Sequence, residues 1–557
     1  METKRNSRLM LFGLVLVVAL SAYLRLSGIT WGTNSGYGHY LNFHPDEFIS
    51  IRGMSPISFR EGKLEAPEAY FEGTFNYYLW AVPRMLHDVN AGKGPASRPK
   101  FINSQFQFIL LSGRLMTVAF DLATLILLFA IIRNLTNQGL PALIGALLYG
   151  VIPMQVIYSH FMRTYTLSNL LCVLVIWLSL KALTHRNWWL FVITGAVAGL
   201  GAATRYPSAL VLSVPCTLLL LEGQASNETW RDRIGKFLLQ PPLWLLVSGF
   251  VLGLFAGEPM LFLKFRTVAD AILLEASQYA PAGRENPFDL SPLWKYICVL
   301  IPFATYPLLW LLIYVSTFYV VFRRSLWPTV IPLLAFVALY TYSMAKGYLA
   351  SYARLTMLVM PVLCIFVGLA CGEIFPRIAT RPLTFRLVII VMFLITLPSI
   401  VFDVAYDQAM KRQDVRQQLR GDMRELVRDR SATTIAVSEN GCYFYTAMPA
   451  VFPLRSSNVT VEVEKSLVTP ADFLVMGFER PIPDNLRNST IRRVERGGAF
   501  RFLKAFSRPP TLFGTTLNWS KFPQDMTYPF PTILLFCRTK PDKGVETTDG
   551  TGSVPPR

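Results

Sequence analysis

The residues of this chain best suited to do chemistry stand together in Asn42-Phe43-His44-Pro45-Asp46-Glu47-Phe48. Two adjacent carboxylates lie behind a proline that fixes the backbone and a histidine that can donate or accept a hydrogen bond. Neighbouring side chains on an extended segment point to opposite sides, so the pair divides into two jobs. One carboxylate faces a cleft as a base; the other orients the backbone or binds a cation. A solvated Asp-Glu pair in a loop is the alternative, and the motif alone leaves both open. The second group is cationic. His160-Phe161-Met162-Arg163, Ala203-Thr204-Arg205-Tyr206 and the stretch from Ala345 to Arg354, with Lys346 inside it, place charges at the ends of apolar runs. An uncompensated charge there needs a partner, and for any single residue a structural partner or a phospholipid headgroup serves. Together they fit a lipid-borne phosphate or diphosphate, which cations bind and stabilise as a leaving group. Tyr158, Tyr165, Tyr206, Tyr340, Tyr342, Tyr348 and Tyr352 interleave with these cations. Such rings form interfacial belts, and a minority can stack on a sugar.

A membrane bundle must position these groups. Of 557 residues, 52% are hydrophobic and 16% charged, with a mean hydropathy of +0.39. A soluble chain carries about a quarter of its residues as charges, and a disordered one is far less apolar. Apolar runs long enough to cross a hydrocarbon core of ~30 Å recur through the first 400 positions. They predict eleven spans, near Leu9–Leu26, Phe106–Ile132, Leu140–Tyr158, Tyr165–Leu183, Trp188–Ala203, Ser208–Leu221, Leu243–Gly257, Tyr296–Phe322, Val330–Met344, Thr356–Gly372 and Arg386–Phe402. No small-residue cleavage site follows the first run, so it reads as a retained helix and not a signal peptide. With the N-terminus in the cytoplasm, Arg133, Lys181, Arg186, Arg231, Arg233, Lys236, Arg323, Arg324, Arg377 and Arg381 all fall on that side, as the positive-inside rule requires. The connections 27–105 and 258–295, and everything after Phe402, then lie outside. Membrane orientation thus accounts for the formal charge of +18 without nucleic acid.

Beyond residue 402 the character changes. Val404, Met410, Val415, Leu419, Met423 and Leu426 recur at helical spacing, predicting an amphipathic helix over Asp403–Arg430. Short β-rich runs at Thr433–Ser438, Val459–Val463, Asp472–Gly477 and Phe500–Phe506 predict a small mixed α/β domain over 403–538, followed by a disordered polar tail, 539–557. Of seven cysteines, Cys172, Cys216, Cys298, Cys364 and Cys371 fall in or beside spans as small hydrophobes. Cys442 and Cys537 fall in the outer domain, where an oxidising compartment permits pairing that spacing alone does not prove. Glu61, Glu65, Glu68 and Glu72 read as a solvated or interfacial helical face. No CxxC, HExxH, GxGxxG or P-loop pattern occurs, which leaves the familiar metal, nucleotide and dinucleotide sites without support.

The order of these elements resembles the polytopic GT-C glycosyltransferases, in the branch of the dolichyl-phosphate-mannose protein O-mannosyltransferases and the bacterial lipid A aminoarabinose transferases. The likeness rests on His44-Pro45-Asp46-Glu47 after the first helix, Gly113-Arg114-Leu115 opening the second, and Pro153 through Ser159-His160-Phe161-Met162-Arg163. Gly201-Ala202-Ala203-Thr204-Arg205-Tyr206 and Tyr352-Ala353-Arg354-Leu355 leading to Pro361 complete it, over roughly residues 1–400. Ala353 separates Tyr352 from Arg354 where the family often has Arg-Tyr, and Glu258-Pro259 stands where many relatives have a Pro-Tyr-like pair. The resemblance implies an integral plasma- or inner-membrane transferase, mannosyltransferase-like, with a polyprenyl (dolichyl or undecaprenyl) phosphate sugar as donor. It further implies inversion at the anomeric carbon and an acceptor hydroxyl on protein, lipid or glycan. An outer-face site points to the same donor, because nucleotide sugars are kept in the cytosol. In that scheme Asp46 takes the acceptor proton, and Arg163, Arg205, Lys346 and Arg354 hold the phosphate. Glu47 orients the loop or binds a divalent cation; His44, His160, Tyr206, Glu258 and Tyr352 are accessory. A transporter or flippase of lipid-linked sugars would share the spans and outer cations, but no inverted hydropathy repeat or matched pair of broken spans occurs. A non-catalytic scaffold would not need the paired carboxylates.

Overall fold

The computed structural model describes residues 2–33, 44, 46–90, 106–185, 187–222, 230–279, 289–348, 351–428, 433–438, 459–464, 471–478, 480–512 and 514–539. They form two compact units: Met1–Asp414 with Pro509–Pro529, and Val415–Arg508 with Phe530–Arg557. The first is helical. Its helices are α1 (Glu2–Leu26), α2 (Glu47–Met54), α3 (Phe75–Asn90), α4 (Phe106–Thr136), α5 (Gly139–Gly150), α6 (Pro153–Ser159), α7 (Tyr165–His185) and α8 (Trp188–Thr204). After them come α9 (Ser213–Leu221), α10 (Trp230–Leu239), α11 (Pro241–Gly257), α12 (Phe265–Tyr279), α13 (Leu309–Val321), α14 (Trp327–Tyr348), α15 (Met360–Ile378) and α16 (Pro382–Lys411).

Among the described residues six helices are long and apolar enough to cross a membrane, or eight if the bent pairs α5–α6 (57°) and α10–α11 (56°) each make one span. These eight correspond to eight of the eleven expected segments. The other three are helical but short or broken: α8, the 3-10 turn Tyr206–Leu212 running into α9, and the pieces Ser291–Ala304 and α13. Pro302 and Pro307 fall within the last of these, each removing a backbone donor, and the helix breaks at residues 305–308. The final span also overruns its expected end at Phe402, continuing to Lys411.

Two devices hold the bundle together. At the end of α1, Arg25 is fully buried; its Nε donates to Asp121 Oδ2 at 2.5 Å, and its Nη1 to Ser21 Oγ at 2.6 Å and to the Gly150 carbonyl at 2.7 Å. A charge at that depth is tolerated because it is paired and hydrogen-bonded. Small residues bring α8 and α11 together. A Cβ on Gly195 or Gly199 would lie 2.0 or 2.2 Å from the carbonyl of Leu246 or Phe250, and one on Gly249 or Gly253 would meet Val192 or Ala196 at 2.1 or 2.0 Å. Four-residue glycine spacing on both helices lets the backbones touch, the usual means of helix association in lipid.

The second unit carries α17 (Val415–Val427), α18 (Asp484–Arg496) and a five-stranded mixed sheet in the order β2-β1-β3-β7-β4. Its strands are β1 (Thr433–Ser438), β2 (Val459–Glu464), β3 (Phe473–Phe478), β4 (Phe500–Phe506) and β7 (Thr532–Arg538); the short pair β5 (Thr511–Leu512) and β6 (Thr515–Thr516) belongs to the first unit. β1 runs parallel to β2 and β3, and β7 lies antiparallel between β3 and β4. Four of these strands were expected, whereas β7 was not. The expected helix over Asp403–Arg430 is divided between the end of α16 and α17. Cys442, whose pairing with Cys537 of β7 the sequence allows, lies outside the described residues.

Candidate active site

α2 begins at the second carboxylate of the motif. Glu47 is completely buried, and Arg114 of α4 grips its fork: Nε donates to Oε1 at 2.8 Å and Nη2 to Oε2 at 2.7 Å. The Met162 amide donates to Oε1 at 2.7 Å, and Arg114 Nη1 reaches the carbonyls of Ile29 and Trp31 at 2.7 and 2.6 Å. One bidentate pair therefore ties the first connection to α4 and to the turn before Arg163. With its oxygens so occupied, Glu47 has the geometry of the orienting carboxylate. Among the described residues no group of three or more His, Cys, Asp and Glu could hold a metal ion.

His44 is buried and caps the same turn: its Nδ1 accepts the Asp46 amide at 3.2 Å, and its ring packs 4.2 Å from that of Phe161. Burial pulls the imidazole down to about 4 against the opposing pull of Asp46 and Glu47, so it is neutral at pH 7 and keeps a lone pair for that amide. Asp46 is left facing a cavity of about 220 Å³ that Glu72, Arg163, Tyr165, Arg205, Glu275, Tyr352 and Arg354 also line. That volume is below the roughly 300–1,000 Å³ of drug-sized sites, fitting a head group better than a whole lipid.

Three guanidinium groups converge there. Arg354 Nη1 lies 3.3 Å from Asp46 Oδ2 and donates to Tyr158 Oη at 3.1 Å and Tyr528 Oη at 3.3 Å, with its carbon 4.2 Å over the Tyr352 ring. Arg163 Nη1 donates to the Asp46 carbonyl at 3.0 Å. Arg205 lies 3.9 Å over the Tyr165 ring. Desolvation pushes the Asp46 carboxyl up, but Arg354 and then Arg163 outweigh it and hold the group at about 2, ionised throughout the physiological range.

Glu72 is a cavity carboxylate that sequence reasoning missed. It is no part of a solvated helical face: the 59–69 stretch forms two short 3-10 turns, and only its neighbours meet surface partners, Glu68 with Arg52 and Glu65 with Lys264, each at 2.6 Å. Glu72 Oε1 bonds Arg163 and lies 3.8 Å from Arg205 Nη1, while Tyr77 Oη donates to Oε2 at 3.1 Å. The local signal was Gly73. Its φ of +114° favours glycine, and a Cβ there would lie 2.3 Å from the Ala203 carbonyl, so the turn is pressed against the strand of chain leading to Arg205.

The remaining sequence candidates take supporting places. Glu258 Oε2 accepts the Thr74 amide at 2.5 Å, anchoring the turn that carries Glu72; burial pushes its carboxyl up to about 8 against the bonds from Thr74. Tyr206 Oη donates to the Tyr70 carbonyl at 2.7 Å. His160 places Nδ1 2.8 Å from the Val156 carbonyl and Nε2 2.7 Å from that of Ser27, a structural staple. Lys346 bonds the Asp289 carbonyl and does not line the cavity.

An ionised carboxylate and three arginines thus line one cavity of a polytopic, apolar helical membrane protein. Residues 100–254 match the family model described as dolichyl-phosphate-mannose-protein mannosyltransferase. The match bears out, over that stretch, the resemblance to the polytopic glycosyltransferases; it includes Arg114, Arg163 and Arg205 but not Asp46 or Arg354. No curated protein matches the chain. Two solved structures of ArnT from Cupriavidus metallidurans align, both at 12% identity. The one bound to undecaprenyl phosphate covers 94% of this chain and 97% of its own at a TM-score of 0.46. The apo one covers 96% and 98% at 0.45. Both likenesses are too distant to carry an argument.

Proposed function

We propose that the protein transfers a sugar from a polyprenyl-phosphate donor to an acceptor hydroxyl on the extracytoplasmic face, with inversion at the anomeric carbon. The observation that carries this reading is the ionised Asp46 in one cavity with Arg163, Arg205 and Arg354. In the reaction the acceptor oxygen attacks the anomeric carbon, the bond from that carbon to the phosphate oxygen breaks, and Asp46 takes the hydroxyl proton. The phosphodiester donor carries one negative charge and the departing phosphate monoester two. The arginines therefore bind the product-like transition state better than the ground state, which is what accelerates a chemical step. A bound phosphate also competes with Asp46 for Arg354, so the base strengthens when donor arrives.

The matched family's description names dolichyl phosphate mannose, which supports a donor of that class and a mannose-like sugar. The sorting of basic residues along the chain supports a cytoplasmic N-terminus with Asp46 and the C-terminal sheet outside. Purified protein in liposomes, given a radiolabelled polyprenyl-phosphate sugar and hydroxyl acceptors, tests the proposal. Transfer of label to acceptor is the expected result. Movement of labelled donor across the bilayer without transfer, or neither process, would overturn it.

A further inference from the structure

The segment Pro509–Pro529 follows β4 of the sheet in sequence yet belongs to the helical unit. It is fastened there by aromatic packing, with Phe522 stacked on Phe402 of α16, and by Tyr406 Oη donating to the Met526 carbonyl at 3.1 Å. Asp525 sits in its 3-10 turn Gln524–Met526, completely buried. Its Oδ1 accepts the Ala353 amide at 3.2 Å and its Oδ2 the Arg354 amide at 2.8 Å. Those amides open the 3-10 turn Ala353–Thr356, which has no intrahelical partner for them. Three residues on, Tyr528 accepts from Arg354 Nη1 and sets its ring edge-on to His44 at 4.9 Å between centroids.

We infer that Asp525 is a positioning residue of the donor site: by holding the Ala353 and Arg354 amides it fixes the Arg354 guanidinium between Asp46 and the Tyr352 ring. The carboxylate does not line the cavity, so it acts through Arg354. The inference rests on the reading of Arg354 as a phosphate ligand. It makes a stretch of chain placed after four of the sheet's strands a working part of the transmembrane site. Burial raises the Asp525 carboxyl, and the Arg354 charge with the two backbone donors offsets that in part.

The test uses full-length Asp525→Ala, Asp525→Asn and Tyr528→Phe, with Asp46→Asn as reference. Donor KM, acceptor KM and kcat are measured per folded molecule, and unlabelled polyprenyl phosphate is titrated as a binding probe. Asp525→Ala should raise donor KM and weaken probe binding roughly 10–100-fold, the scale of a lost charge-assisted contact, with acceptor KM within about twofold. Asp525→Asn, which keeps one acceptor oxygen in place, should recover part of the loss. Tyr528→Phe should raise donor KM by roughly threefold to tenfold, as for one neutral hydrogen bond. A purely structural Asp525 would lower the yield of folded enzyme while each molecule kept wild-type donor KM and probe affinity, and that result overturns the inference. Should Asp525→Ala fail to accumulate, wild-type donor KM in both Asp525→Asn and Tyr528→Phe overturns it equally. Wild-type transfer by Asp46→Asn would instead overturn the reading of the site, while the probe titration still judges Asp525.

Discussion

Replacing Arg354 with Gln removes the cation nearest to Asp46 and so tests how the base is held ionised. At the observed 3.3 Å, an effective dielectric of about 20 gives an attraction of ~5 kcal/mol. Asp46 is 19% exposed, and water in the cavity reduces the net effect to roughly 2–3 kcal/mol, where 1.36 kcal/mol corresponds to one pKa unit. The carboxyl should therefore climb from about 2 into the ordinary carboxylate range near 4 or beyond, because burial then faces less opposition. The sign is fixed: a base must be ionised, and a depressed carboxyl stays ionised as pH falls, whereas a raised one is protonated sooner. In wild-type enzyme kcat/KM should show no acid limb from Asp46 above pH 5. In Arg354→Gln a limb should enter between about pH 4 and 6, with donor KM raised roughly 10–100-fold by loss of a phosphate contact. Initial rates of sugar transfer from pH 4.5 to 8.5, at several donor concentrations, supply both readouts. A variant with wild-type donor KM and a flat acid side would refute both the phosphate contact and the electrostatic account of Asp46.

Glu72→Gln removes a negative charge from Arg163 and Arg205, so donor KM should fall by roughly threefold to tenfold, read from the same saturation curves; a raised KM would make Glu72 a ligand of donor or acceptor. Gly199→Leu should separate α8 from α11, since a Cβ there would lie 2.2 Å from the Phe250 carbonyl, and lower stability by about 1–3 kcal/mol in detergent melting. Gly235→Leu, where a Cβ meets nothing within 4 Å, is the neutral control. Equal melting of the two variants would contradict the packing argument.

The apolar runs made the helical bundle legible, because a hydrocarbon solvent leaves helices or closed barrels as the only ways to satisfy the backbone. Length was less legible: the segment near Tyr296–Phe322 is apolar enough for one span, yet its prolines divide it. The strand β7 was hidden because Thr532–Cys537 is almost continuously buried, and a run without alternation has no strand period to detect. Among cavity residues, Asp46 stood out by its motif and Arg163, Arg205 and Arg354 by being cations at the ends of apolar runs. Glu72 was lost in a series of four glutamates whose spacing resembled a helix face. Asp525 and Tyr528 lie in a Pro-rich stretch whose return to the bundle depends on long-range packing of Phe522 and Trp519 on Phe402. Nothing within the stretch itself announces that contact.

The central claim is that Asp46 is the base of a sugar transfer from polyprenyl phosphate, and one comparison tests it most directly. Single-turnover transfer and donor binding are measured side by side for wild type and Asp46→Asn in the same membrane preparation. Asparagine keeps the size of the side chain but cannot take the proton, so the transfer step should slow by roughly 10²–10⁴-fold. Donor affinity should not weaken, and should tighten by up to roughly tenfold, because the lost carboxylate no longer competes with the phosphate for Arg354. Transfer at the wild-type rate by Asp46→Asn would contradict the account and make Glu72 the next carboxylate to test.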